Sequence, residues 1–279
     1  VAVFASGGVG KSSLALEFAW DCFASSPSRF PGGVFWCDCR GRDVTGLAGG
    51  LANFAGALGI EADESADPLT TARQVRDRLM LGPPSLLVLD NVVDSEQWKI
   101  KDWNEFLPGG NCYRLLTTRA ENLGDHRIPM VRLDRLSMAD ARELLHAYRD
   151  DVSLEDKDDT VRAIINWFGG LAIGLTVVGI YLGINPTLSW DAYWKSLREK
   201  KLDAVRGTED LAAPADYSSR VDAVIDDLFR SQSQPEQQAL LYASILPGDD
   251  VSDRWLIELL TDDLAAGKIR GNTPPGYPS

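Results

Sequence analysis

Residues 5–13 read Ala-Ser-Gly-Gly-Val-Gly-Lys-Ser-Ser, a spacing whose chemistry is that of a phosphate cradle. Gly7, Gly8 and Gly10 let consecutive backbone N–H groups turn inward on an anion, with Val9 between them. Lys11 brings the charge that neutralises the outer phosphate oxygens, and the Ser12 hydroxyl suits a magnesium ion. Ser13, one residue into the following helix, can offer its hydroxyl and N–H to an inner phosphate. The strict pattern asks for glycine at position 5, and Ala5 there narrows the φ values open to the loop entry. The plainer alternative is a glycine-rich strand–helix turn with no ligand. Against it, a lysine buried at such a turn without an anionic partner would be costly.

Two more positions carry candidate chemistry. Asp90 closes the apolar run Leu86-Leu87-Val88-Leu89. A carboxylate at that end of a strand can face the loop and hold magnesium, or it can merely cap a helix. The next residue is Asn91, whose amide cannot accept a proton as a carboxylate would, so a weak catalyst is expected. Thr117-Thr118-Arg119 closes another strand. Arg119 is a candidate for contacting a γ-phosphate, with a surface ion pair as the plain alternative. Arg40, just past a strand, is a weaker candidate for the same work or for touching a neighbouring subunit.

The elements that would position these groups are legible from periodicity. Residues 1–5 read as a strand and 11–25 as a helix, with Leu14, Ala15, Phe18, Ala19 and Cys22 at helical spacing. Further strands are expected at 34–37, 85–90, 113–118 and 130–133, and helices at 44–58 and 70–81. The run at 85–90 is apolar without alternation, as in a central parallel strand covered on both sides. Strands alternating with helices imply an α/β fold whose parallel sheet has helices on both faces. We place this domain at residues 1–134.

After Ser137 the strand signal fades. Helices are expected at 137–148, with Ser137 as N-cap and Asp140 three residues on, and at 160–168, 171–182 and 189–199. These make a small all-α domain over 135–206. A polar linker at 207–219 leads to helices expected at 221–228, 235–246 and 255–260, within a winged-helix-like domain over 220–279 that is expected to be incomplete. The chain opens at Val1 inside a strand, which suggests a piece of a longer protein.

Composition narrows the function. The chain has 279 residues and a formal net charge of −13, with no run of lysine or arginine, so a surface built for nucleic acid is not expected. No apolar run approaches the length of a membrane span. Cys22, Cys37, Cys39 and Cys112 lack CxxC spacing and read as buried thiols in a reducing, cytoplasmic setting. The tryptophans read as packing residues rather than base-stacking platforms, and the acid-rich stretch at 150–159 as a solvated loop.

In their order along the chain, these segments resemble the NB-ARC family of STAND-class signalling ATPases. The resemblance rests on Gly7 to Ala15, on Leu86 to Val92, on Leu115 to Arg119, on Leu136-Ser137 with Ala141, Leu144 and Leu145, and on Gly169-Gly170-Leu171-Ala172. It implies a P-loop NTPase sheet followed by helical and winged-helix domains. It also implies ADP or ATP with Mg2+ as cofactors, and Leu171 and Ala172 as nucleotide contacts. Ala172 stands where such proteins carry a proline, and the family's histidine motif has no match. By the same resemblance, an effector domain precedes Val1, a repeat-type sensor follows Ser279, and ATP drives homo-oligomerisation.

The function so implied is a nucleotide switch with slow hydrolysis: Lys11, Asp90 and Arg119 do the chemistry, and Ser12 and Asp90 hold the metal. Rival readings are a turnover phosphotransferase or motor ATPase on the same fold, and a nucleotide-locked scaffold that never hydrolyses.

Overall fold

The computed structural model describes residues 1–25, 28–61, 67–92, 105–124, 128–152, 158–205, 225, 229–230 and 232–245. They fall into two units: Val1–Leu136 together with Leu171–Ile173, and Ser137–Gly170 together with the described residues from Gly174 onward.

In the first unit, strand β1 (Ala2–Phe4), β2 (Val34–Asp38), β3 (Ser85–Val92), β4 (Cys112–Thr118) and β5 (Met130–Arg132) form one sheet in the order β2-β3-β4-β1-β5. Every described pairing is parallel. The apolar run of β3 is buried on both faces, as its sequence requires. Leu87 and Leu89 pack with Leu47, Ala48 and Leu51 of α2 (Val44–Ala52) and with Ala72, Val75 and Leu79 of α3 (Pro68–Leu81). Leu86 and Val88 pack on the other side with Ala15, Ala19 and Cys22 of α1 (Lys11–Ala24). The sheet thus carries helices on both faces.

Several boundaries differ from the sequence reading for local reasons. The helix expected over 44–58 is broken: α2 stops at Ala52, and a single 3-10 turn, Gly56–Leu58, ends at Gly59 with φ 67°. Asn53 and Gly56 are poor helix formers at that point. α3 starts earlier than expected, at Pro68, with the Asp67 carboxylate accepting the Leu69 N–H. β3 runs past Asp90 to Val92 through a register shift against β4 between Leu89 and Val92. On α1, Leu14 and Phe18 stay 48% and 41% exposed, because Ala15, Ala19 and Cys22 take the stripe that faces the sheet. All four cysteines are free and buried.

The second unit is helical in its described part. It contains α4 (Met138–Tyr148), α5 (Asp159–Phe168), α6 (Ala172–Ile184, of which Gly174 onward belongs here), α7 (Trp190–Val205) and α8 (Gln234–Ile245). The Ser137 hydroxyl accepts the Asp140 N–H at 3.2 Å while the Asp140 carboxylate accepts the Ser137 N–H at 3.3 Å, a closed capping box. Gly174 is needed where it stands, since a Cβ there would lie 2.3 Å from the Phe168 ring. α7 continues six residues beyond the expected end at Glu199. The linker at 207–219 and the helix at 255–260 lie outside the described residues, as does nearly all of 221–228. Among the described residues no helix is long and apolar enough to cross a membrane.

Candidate nucleotide-binding site

The loop of residues 5–10 is set between two fixed points, the end of β1 and the first turn of α1. Gly8 and Gly10 have φ values of 77° and 108°, which side-chain-bearing residues rarely adopt, and Gly10 is the residue from which α1 starts. Gly8 is also sterically pinned: a Cβ there would sit 2.5 Å from Ile173 Cγ2 and 3.6 Å from Leu171 Cδ2. The Ile173 N–H donates to the Gly8 carbonyl at 3.0 Å. The Ala172 methyl would lie 3.8 Å from a Cβ on Gly10. The segment Leu171–Ile173 therefore lies directly on the loop within this unit.

The Lys11 ammonium donates to the Ala5 and Ser6 carbonyls at 3.0 and 2.8 Å, which uses two of its three N–H groups. Burial and the neighbouring Arg119 guanidinium hold its pKa below the ordinary lysine value, and Asp90 opposes them. An anion bound here would relieve that strain, because it supplies the opposite charge that the buried ammonium favours.

Asp90 is buried and accepts three side-chain hydrogen bonds. Ser12 Oγ donates to Oδ1 at 2.8 Å, Thr117 Oγ1 donates to the same oxygen, and Asn91 Nδ2 donates to Oδ2 at 2.9 Å. β4 makes this possible, since it lies between the strand of the loop and the strand of Asp90 and projects Thr117 between them. Asn91 has φ 60°, the sole non-glycine with positive φ among the described residues. Backbone strain of this kind persists where surrounding bonds over-determine it, commonly at functional sites. Here the Asn91 N–H donates to Thr117 Oγ1 at 2.9 Å. The Asn91 amide also reaches Asp38 Oδ1 at 3.4 Å.

Magnesium fits these residues. A hydroxyl and a carboxylate oxygen 2.8 Å apart, beside the glycine loop, form the hard oxygen set that this ion takes together with phosphate and water. Ser12 and Asp90 would hold it, and it would neutralise charge on the outer phosphates.

Arg119 lies over the loop, with Cζ and Nη2 3.6 Å from the position of a Cβ on Gly7. It lines a cleft of about 560 Å³ with Ser6, Val9, Glu121, Arg132 and Arg135. The structure thus gathers Gly7, Gly8, Val9, Gly10, Lys11, Ser12, Asp90, Arg119, Leu171 and Ala172 around one loop. Ser13 is exposed on α1. The Arg40 guanidinium pairs with Asp38 at 3.6 Å and its side chain is 75% exposed. Trp190 is buried and Trp167 packs edge-on against Trp194; Trp98 and Trp103 lie outside the described residues.

Sequence reasoning missed the roles of Thr117, Asp38 and Ile173. Asp38 carried a readable signal, a carboxylate at the carboxyl end of a parallel strand. Thr117 and Ile173 carried none, because neither residue type is diagnostic.

Comparison with known proteins bears on the whole arrangement. No family model matches the chain. Apoptotic protease-activating factor 1 of Rattus norvegicus is 30% identical over 219 residues, and that of Homo sapiens 28% over 217; each match covers 74% of this chain. A signal transduction ATPase with numerous domains (STAND) from Pyrococcus horikoshii, bearing a tetratricopeptide repeat sensor, superposes with a TM-score of 0.51 and 16% identity over 88% of this chain and 32% of its own. The chain resembles the NB-ARC/STAND P-loop ATPases. It spans only 16% of the length of the apoptotic relatives it matches. The likeness supports a nucleotide-binding P-loop protein, and the parallel sheet with its glycine loop ahead of α1 agrees with it.

Proposed function

We propose that this module is a switch operated by adenine nucleotide. ADP or ATP with Mg2+ is gripped by the N–H groups of Gly7–Gly10, by Lys11 and by Ser12 and Ser13. Asp90 holds the metal together with Ser12, and Arg119 reads the γ-phosphate. Leu171 and Ala172 close over the loop. ADP marks the resting state; exchange for ATP permits self-association and activates an attached effector, and slow hydrolysis resets the switch. The observation that carries the reading is the Ser12–Asp90 hydrogen bond of 2.8 Å beside a lysine held inside the loop. The likeness to apoptotic protease-activating factor 1 and to a STAND protein supports the regulatory rather than the metabolic use of that site.

The test is the nucleotide carried by the purified chain, released by denaturation and separated by ion-exchange chromatography, with Lys11→Ala as control. Co-purified ADP that the variant loses supports the switch. A chain that carries no adenine nucleotide and binds no added ATP removes the reading.

A further inference from the structure

Hydrolysis of a γ-phosphate by water needs a group that accepts the water's proton as its oxygen bonds to phosphorus and the bridging P–O bond breaks to release ADP. Asn91 stands directly after Asp90, and its amide nitrogen can only donate. Asp90 itself already receives Ser12, Thr117 and Asn91. The neighbouring strand offers another carboxylate. Asp38 is the register partner of Asp90 across the β2–β3 pair, and the Cys39 N–H donates to the Asp90 carbonyl at 2.7 Å, which locks the two strand ends together.

The Asp38 side chain is a quarter exposed, at the carboxyl edge of the sheet where ligands of open α/β sheets bind. Its Oδ1 accepts the Arg40 N–H at 2.9 Å and the Asn91 amide at 3.4 Å, while Oδ2 faces the Arg40 guanidinium at 3.6 Å. One amide thus ties both carboxylates. Its two N–H groups are divided between Asp90 Oδ2 and Asp38 Oδ1, and its backbone is left-handed.

We propose that Asp38 is the proton-accepting carboxylate of the site and that Asn91 is the positioning residue that sets its distance from Asp90. The inference rests on the nucleotide reading above. In the hydrolytic step the proton of the attacking water passes to Asp38 while phosphate and ADP separate, and it then returns to solvent.

The experiment is single-turnover and steady-state ATP hydrolysis by the full 279-residue chain, alongside ATP and ADP dissociation constants. Asp38→Asn is expected to lower turnover about a hundredfold, the usual contribution of a general base, with nucleotide affinity nearly unchanged. The exchanged pair Asp38→Asn with Asn91→Asp keeps the amide–carboxylate bond in reverse and is expected to recover much of the loss. A purely structural role for Asp38 would show instead as a fall in melting temperature and in affinity. Asp38→Asn with wild-type turnover overturns the inference, as does a wild-type chain that binds ATP without hydrolysing it; both leave the nucleotide reading intact. A wild-type chain that binds no nucleotide removes that reading itself.

Discussion

The Thr117 hydroxyl donates to the Asp90 carboxylate, and its oxygen at the same time accepts the Asn91 N–H. One side chain on β4, the strand that pairs with β1, therefore ties β4 to the Asp90 end of β3 and props the left-handed turn at Asn91. Thr117→Val keeps the shape and removes both bonds. Leaving a buried carboxylate short of a donor and a buried N–H without an acceptor is expected to cost about 2–4 kcal/mol in chemical denaturation. Mg2+-dependent ATP affinity should fall with it; an unchanged midpoint and affinity would show that Ser12 and Asn91 suffice to hold Asp90.

Gly8→Ala places a methyl where Ile173 Cγ2 stands 2.5 Å away, on a backbone with φ 77°. The strain alone is worth roughly 1–3 kcal/mol. We expect loss of detectable ADP binding by calorimetry. Ile173→Ala added to Gly8→Ala should recover part of the stability, because it removes the clash, but not all of it, because the φ cost remains. Full recovery would mean that sterics, not backbone conformation, require glycine here.

Lys11 gives a pH dependence. Its folded-state pKa is lowered by burial, then by Arg119, so it loses its proton below the usual lysine range. Phosphate binding favours the charged form. ADP affinity should therefore hold at neutral pH and fall as pH rises toward 10, beginning earlier than an unshifted lysine would dictate. For the nucleotide-free fold the sign is opposite, since a lowered lysine pKa means that charging opposes folding, and that cost is relieved as pH rises through the folded pKa. Titrations by calorimetry across pH 7–10, with Lys11→Arg as the non-titrating control, check this. A flat affinity profile for the wild type would contradict it.

Arg119 lies against Gly7 and neighbours Lys11, and on the γ-phosphate reading its removal should be felt by the outermost phosphate. Arg119→Ala is expected to weaken ATP binding by roughly tenfold, in line with the loss of a charge-assisted hydrogen bond, while ADP affinity changes little. Equal losses for both nucleotides would place the guanidinium on an inner phosphate or in a general electrostatic role.

The sequence by itself determined the loop and the layered α/β fold, because both are local. Positive-φ glycines followed by lysine and serine are written in consecutive residues, and the non-alternating run of Leu86 to Leu89 declares a strand covered on both faces. It also marked Asp90 and Arg119 by their position at strand ends. Where one run of residues could continue as helix or not, as after Ala52, neighbouring positions decided within a few residues and periodicity alone overran the end. What the sequence could not fix was strand order. The placement of β4 between β1 and β3 brings Thr117 onto Asp90 from 27 residues away, and the pairing of β2 with β3 brings Asp38 to Asn91 from 53 residues away. The seat of Ile173 on Gly8 is likewise a long-range choice. Hydrogen bonds act over about 3 Å of space regardless of chain separation. Which side chains share Asp90 was thus decided only when the sheet closed.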